Sequence, residues 1–254
     1  MAVELGNLWY FLWMLAYPIF AAATYFLLRN RSEKFQAAAI YSIILLNFFI
    51  HFAWPLSHFE TFNERVARMF LINHCAALVV LGPFLFFSKD SFLKPGFVYA
   101  AMMGGFLVSF YPGEAKGLPI YSLPVLRFYG QHILLFTTGF LLVSLGKVSL
   151  NFKNIWALPV FMFFTLLLVV ANLAILQEWG IIRHMRNWNM AFQWGPDGLE
   201  GLVGWLIPSF LRTESGFVPV LWQLPLFLTI YPLFGLLVLL IKWGLGKIKM
   251  GKFY

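Results

Sequence analysis

Seven apolar stretches divide this 254-residue chain, and all but one approach the roughly 20 residues that a helix needs to cross a hydrocarbon core. They cover residues 7–28, 35–54, 66–87, 97–110, 127–145, 155–177 and 218–242. The fourth is short and holds Gly104 and Gly105, so it is expected to extend back to Lys94 or forward to Tyr111. Only 11% of residues are charged, against about 25% in a soluble domain. The pattern predicts an all-α integral membrane protein: one polytopic domain over residues 1–254, a bundle of about seven transmembrane helices in a cell membrane. No segment shows the period of a strand, and no internal repeat is visible.

The connectors between these stretches sort by charge. Those around Arg29–Lys34, Lys89–Lys94, Lys147–Lys153 and the tail from Lys242 hold eleven bases and two acids; the alternate set holds seven bases and eight acids. The excess of Lys and Arg marks the cytoplasmic side. The N-terminus is therefore expected outside and the C-terminus inside, which requires an odd number of spans. The net charge of +8 is read as this orientation signal, not as a nucleic-acid surface. The first apolar stretch has no basic lead and is followed by Arg29, Arg31 and Lys34, so it is read as an N-out anchor and not a signal peptide.

Against this background the polar residues inside the spans stand out. Asn47, His51, Asn73, His74, the single cysteine Cys75, Gln131, His132 and Asn172 all map to the half of the bilayer nearer the outside. At about 1.5 Å per residue, His51 lies ~6 Å inside span two, His74 and Cys75 ~12 Å inside span three, and His132 ~8 Å inside span five. Polar groups are costly in hydrocarbon and commonly line a bundle interior or wet cavity, so they mark a candidate site. A bland reading stands beside this one, since single intramembrane His and Asn residues often serve as interhelical glue. Asn47 and His51 share a helical face, as do Arg127 and Gln131. His51, Cys75 and His132 are expected to converge on one cavity, with Asn172 nearby.

A Cys–His pair is the smallest nucleophile–base unit for acyl transfer. His74 adjoins Cys75 in sequence but points about 100° away on a helix, so His51 or His132, reaching across from another helix, is the better base. Asn47, Asn73 or Gln131 could donate to a developing oxyanion. Three histidines and a water can hold zinc. With no H-E-x-x-H motif and no carboxylate in the spans, no metal or cofactor is expected. Residues 178–217 form a long extracytoplasmic segment rich in Trp, where Asp197 and Glu200 resemble a capping box opening a short interfacial helix over 198–211. Such a helix would form a lid over the cluster.

Three segments carry a resemblance: LINHCAAL at 71–78, YPGEAKGLPIYSLPVLRFYGQHILL at 111–135, and NWNMAFQWGPDGLEGLVGWLIP at 187–208. In order and spacing they resemble the YwaF-type bacterial integral membrane family, related to an animal seven-span ether-phospholipid acyltransferase. The likeness covers most of residues 45–240. It implies an N-out bundle of about seven helices, membrane lipid as the partner, Cys75 as the acyl-accepting thiol and His132 as its base. It adds Asn189 to a substrate-binding set of Asn47, His51, Asn73, His74, Arg127, Gln131 and Asn172. One departure is plain: Cys75 follows His74 directly, where the family has one residue between. The expected function is a membrane-embedded lipid-modifying enzyme, a Cys/His acyltransferase acting on phospholipid or lysophospholipid. The alternative is a transporter or ligand-binding protein using the same polar cavity.

Overall fold

The structure, a computed structural model, describes residues 1–110, 115–184, 209–213, 216–217 and 221–250. These residues are helical apart from one two-residue antiparallel ladder, β1 (Arg212–Thr213) with β2 (Gly216–Phe217), and isolated bridges near the N-terminus. The helices are α1 (Leu8–Leu28), α2 (Glu33–His58), α3 (Phe62–Met69), α4 (His74–Phe87), α5 (Leu93–Phe110), α6 (Leu123–Ser144), α7 (Ala157–Glu178), α8 (Leu224–Leu228) and α9 (Ile230–Met250). Among the described residues, four helical segments are long and apolar enough to cross a membrane: Leu8–Leu28, Glu33–His58, Phe152–Glu178 and Leu224–Trp243. The bent pair α3–α4 makes a fifth if taken as one span. The outward faces agree with that reading. On α1, Leu8, Leu12, Leu15, Ile19 and Phe26 are all exposed and recur at helical spacing. A continuous apolar stripe facing outward is what a hydrocarbon solvent selects.

Helix ends are written locally. Asn7, Ser32, Thr61 and Asn73 each accept a backbone N–H two or three residues on, opening α1 to α4. Asp90 accepts from Leu93 N and Phe92 N ahead of α5, and these two bonds hold its carboxyl below the ordinary aspartate range. Gly146 and Gly180, at φ +71° and +69°, end α6 and α7 in the left-handed conformation that favours glycine.

Helix α5 is the hub. Phe97, Val98, Tyr99, Ala100 and Ala101 are each 1% exposed or less, so every face of that turn is covered. The coverage depends on small residues. A Cβ at Gly96 would stand 2.7 Å from Ala157 O of α7, one at Gly105 3.0 Å from His132 O of α6, and one at Gly139 3.0 Å from Val98 O of α5. Without side chains there, the backbones approach closely, as membrane helices do at small residues. The weakest apolar stretch in the sequence thus belongs to the most enclosed helix. It starts at Leu93, four residues before the expected 97. A helix wrapped by others need not be apolar throughout.

The largest departure from expectation is span three. Residues 66–87 do not form one helix; α3 and α4 meet at 63° across a four-residue break. The cause is in the sequence of α3, where Glu64, Arg65 and Arg68 make the helix amphipathic. Such a helix lies along an interface more readily than it enters hydrocarbon. The seventh helix pair begins at Leu224, not at 218, and residues 218–220 lie outside the described set. So does most of the expected interfacial helix over 198–211, of which Ser209–Leu211 is a single 3-10 turn.

Candidate functional site

The polar cluster is organised around the break in span three. Helix α4 has 14 residues, about 21 Å of rise, which is short of a ~30 Å hydrocarbon core. Backbone that leaves a helix within a membrane bundle needs partners, because hydrocarbon supplies none. They come from neighbouring helices. His51 Nε2 on α2 donates to Met69 O at 3.2 Å, and Asn172 Nδ2 on α7 donates to Leu71 O at 3.2 Å. Asn73 caps α4, its Oδ1 accepting from Ala76 N at 2.8 Å. Three of the expected substrate-binding residues therefore hold the break itself. Their engagement with the backbone gives each a positioning task.

His74 is the first residue of α4 and is clamped from two sides. Its Nδ1 lies 2.9 Å from Thr165 Oγ1 of α7, and its Nε2 3.4 Å from Gln223 Oε1, just before α8. When the neutral ring donates Nε2–H to Gln223 Oε1, its Nδ1 accepts from the Thr165 hydroxyl, which otherwise donates to Met162 O at 2.9 Å. Sequence reasoning did not single out Thr165 and Gln223. Both are buried, and Gln223 was open to discovery as an amide within the seventh apolar stretch.

Asn47, Arg127 and Gln131 form a second group between α2 and α6. Asn47 Nδ2 donates to Gln131 O at 3.1 Å, and Arg127 donates to Gln131 Oε1 at 3.4 Å while lying 5.1 Å over the Trp54 ring. Asn47 Oδ1 and Gln131 Nε2 are buried with no hydrogen-bond partner. Two cavities adjoin it. One, of about 10 Å³, lies between Asn47, Leu78, Phe97 and Thr138, with room for a single water. The other, of about 260 Å³, opens between α1, α2 and α6 and includes Arg127 and Gln131 in its wall. His51, Cys75 and His132 line neither.

Cys75 and His132 meet α5 at adjoining residues. A Cβ at Gly104 would stand 3.9 Å from Cys75 Sγ, and one at Gly105 3.0 Å from His132 O. The His132 ring donates from Nδ1 to Phe128 O at 2.7 Å. In the neutral ring Nε2 then carries the lone pair, the state of a base. Cys75 is the second residue of α4. A helix N-terminus favours negative charge, which is the charge a thiol acquires as it attacks. Among the described residues no three His, Cys, Asp or Glu side chains gather to hold a metal ion. Asn189 lies outside the described residues. Comparison of the chain with protein-family models, with curated proteins and with solved structures finds no match. What the chain offers is the class its helices define, a multi-pass helical membrane protein, and the chemistry of this cluster.

Replacing Asn172 by leucine is expected to strand the Leu71 carbonyl. An orphaned buried polar group costs about 1–3 kcal/mol, and each kcal/mol moves the midpoint of a chain this size by roughly 2–4 °C. Thermal unfolding in detergent micelles should therefore show a fall of several degrees. An unchanged midpoint would mean that the break is held in another way.

Proposed function

We propose that this chain is a seven-span membrane protein, N-terminus out and C-terminus in, that transfers acyl groups between membrane lipids. The observation that carries the reading is the position of Cys75 in the first turn of α4, at the break between α3 and α4. The resemblance to the YwaF-type family supports it, with His132 opening a span as in the family and Cys75 one residue nearer its histidine than the family pattern has it. In the first step the Cys75 thiol attacks the ester carbonyl of a phospholipid and its proton passes to His132 Nε2. The tetrahedral adduct collapses to a Cys75 thioester, and the departing lysophospholipid oxygen takes the proton back. In the second step a lysophospholipid hydroxyl, its proton taken by His132, attacks the thioester and releases the thiol, which regains that proton. The His51, Asn172 and Asn73 bonds hold the break so that Cys75 keeps its place.

The test uses the purified full chain in vesicles holding a phospholipid donor and an isotope-labelled lysophospholipid. Labelled diacyl product should form with wild type and not with Cys75→Ala. A transporter is the second reading, because discontinuous helices commonly carry substrate sites in transporters. Uptake of a polar solute that depends on His51 and His132, without lipid product, would establish it instead. Orientation has its own test: a reporter fused after Tyr254 should read cytoplasmic, and an external reading would overturn the span map.

A further inference from the structure

The 260 Å³ cavity between α1, α2 and α6 has features that acyl transfer does not use. Its walls are apolar, with Phe20, Ile50, Leu126 and Leu134 among them, and Arg127 and Gln131 stand on the same wall. On α6 it runs from Leu126 to Leu134, eight residues or about 12 Å of rise. Gly130 sits midway, and a Cβ built there would meet no atom within 4 Å. Glycine within a helix costs about 1 kcal/mol relative to alanine. At Gly105 and Gly139 that cost accompanies close helix packing; at Gly130 no neighbouring helix fills the space. A second, independent observation is the buried Gln131 Nε2, a donor with no acceptor, on a residue 8% exposed.

We propose that this groove is a binding site for one membrane phospholipid, its acyl chain over Gly130 and its ester or phosphate oxygens at Arg127 and Gln131. The surrounding medium favours that occupant. The neighbouring faces of α1 and α2 expose Ile19, Leu46 and Phe49, so the groove opens into hydrocarbon. Arg127 lies one turn into α6, near the helix start and so near the headgroups, and Gln131 one turn deeper. The deeper end is apolar. This order, cation first, then the amide donor level with Gly130, then Ile133 and Leu134 below, matches a phospholipid standing in one leaflet. The site requires only that the chain lie in a bilayer. It lies on the α1–α2 side of α6, whereas His132 O borders Gly105 of α5, so it is independent of Cys75 chemistry.

The test is native mass spectrometry of the full chain released from micelles supplied with phosphatidylglycerol or phosphatidylcholine. Wild type and Gly130→Ala should each retain one phosphatidylglycerol per chain. Gly130→Phe fills the trough and should lower occupancy by about tenfold, the loss expected when roughly two methylenes lose their burial. Its thermal midpoint should stay near wild type, since the added ring enters open space. Arg127→Gln should keep a bound lipid but lose the preference for the anionic one. Undiminished lipid on Gly130→Phe would overturn the proposal. So would a wild-type dimer that this variant splits, which would make a second copy the occupant, or equal retention of free fatty acid in place of phospholipid.

Discussion

Gly105→Leu is expected to destroy the native packing of α5 on α6. In most exposed helix positions, replacing glycine stabilises by about 1 kcal/mol, because the unfolded chain loses freedom. Space reverses the sign here. A single added carbon at Gly105 would stand 3.0 Å from His132 O and 3.1 Å from Phe136 Cα, both backbone, and would collide with Phe136 Cβ. Backbone cannot swing aside as a side-chain tip can, so the helices must part. Overpacking typically costs about 1–3 kcal/mol and sometimes more. Leucine in place of one carbon puts this variant at or beyond the upper end. Gly139→Leu meets Val98 O and Met102 across the same interface and should behave alike. Gly130→Ala is the control, since it meets nothing and should equal or exceed wild type. Midpoints in detergent decide the matter, and a Gly105→Leu midpoint at the wild-type value would refute the close-contact account of α5.

How much of this was legible before the structure follows from what each signal depends on. Apolar length is a local property, so the stretches at 7–28, 35–54 and 155–177 fall on α1, α2 and α7 within a few residues. The break in span three was also written locally. Thr61 with Glu64 has the spacing of a capping box, and Asn73 before His74 is a second N-cap. A continuous apolar reading of 66–87 passed over both. The partners of the polar side chains could not be read in advance. His51 and Asn172 bond to backbone carbonyls of a segment whose irregularity the apolar pattern concealed, and carbonyls carry no sequence signature. The groove at Gly130 depends on the absence of neighbours, which only the packed helices can reveal. That His51, Asn73 and Asn172 are polar groups within apolar stretches was legible; the fact that they hold a broken helix was not.

Cys75→Ala should abolish lipid acyl transfer, and His132→Ala should lower it by roughly 10²–10⁴-fold, the usual worth of a general base. The two rest on different features. Cys75 occupies the first turn of α4, where developing negative charge is favoured. His132 has its Nδ1–H committed to Phe128 O, which fixes the ring and its tautomer. His74 provides the discriminating comparison. It adjoins Cys75, but its ring is tied to Thr165 and Gln223, so it fastens α4 to α7 and to the segment before α8. His74→Ala should therefore cost stability first and activity less, with folded protein retaining more turnover than His132→Ala. Asn172→Leu should follow the same pattern, with a lower midpoint and turnover preserved in the fraction that stays folded. The labelled-lysophospholipid assay, normalised to folded protein, separates these outcomes. Full activity in Cys75→Ala would remove the covalent step. Activity lost equally in His74→Ala and His132→Ala at unchanged midpoints would make His74 a member of the reacting set and the clamp to Thr165 and Gln223 its support.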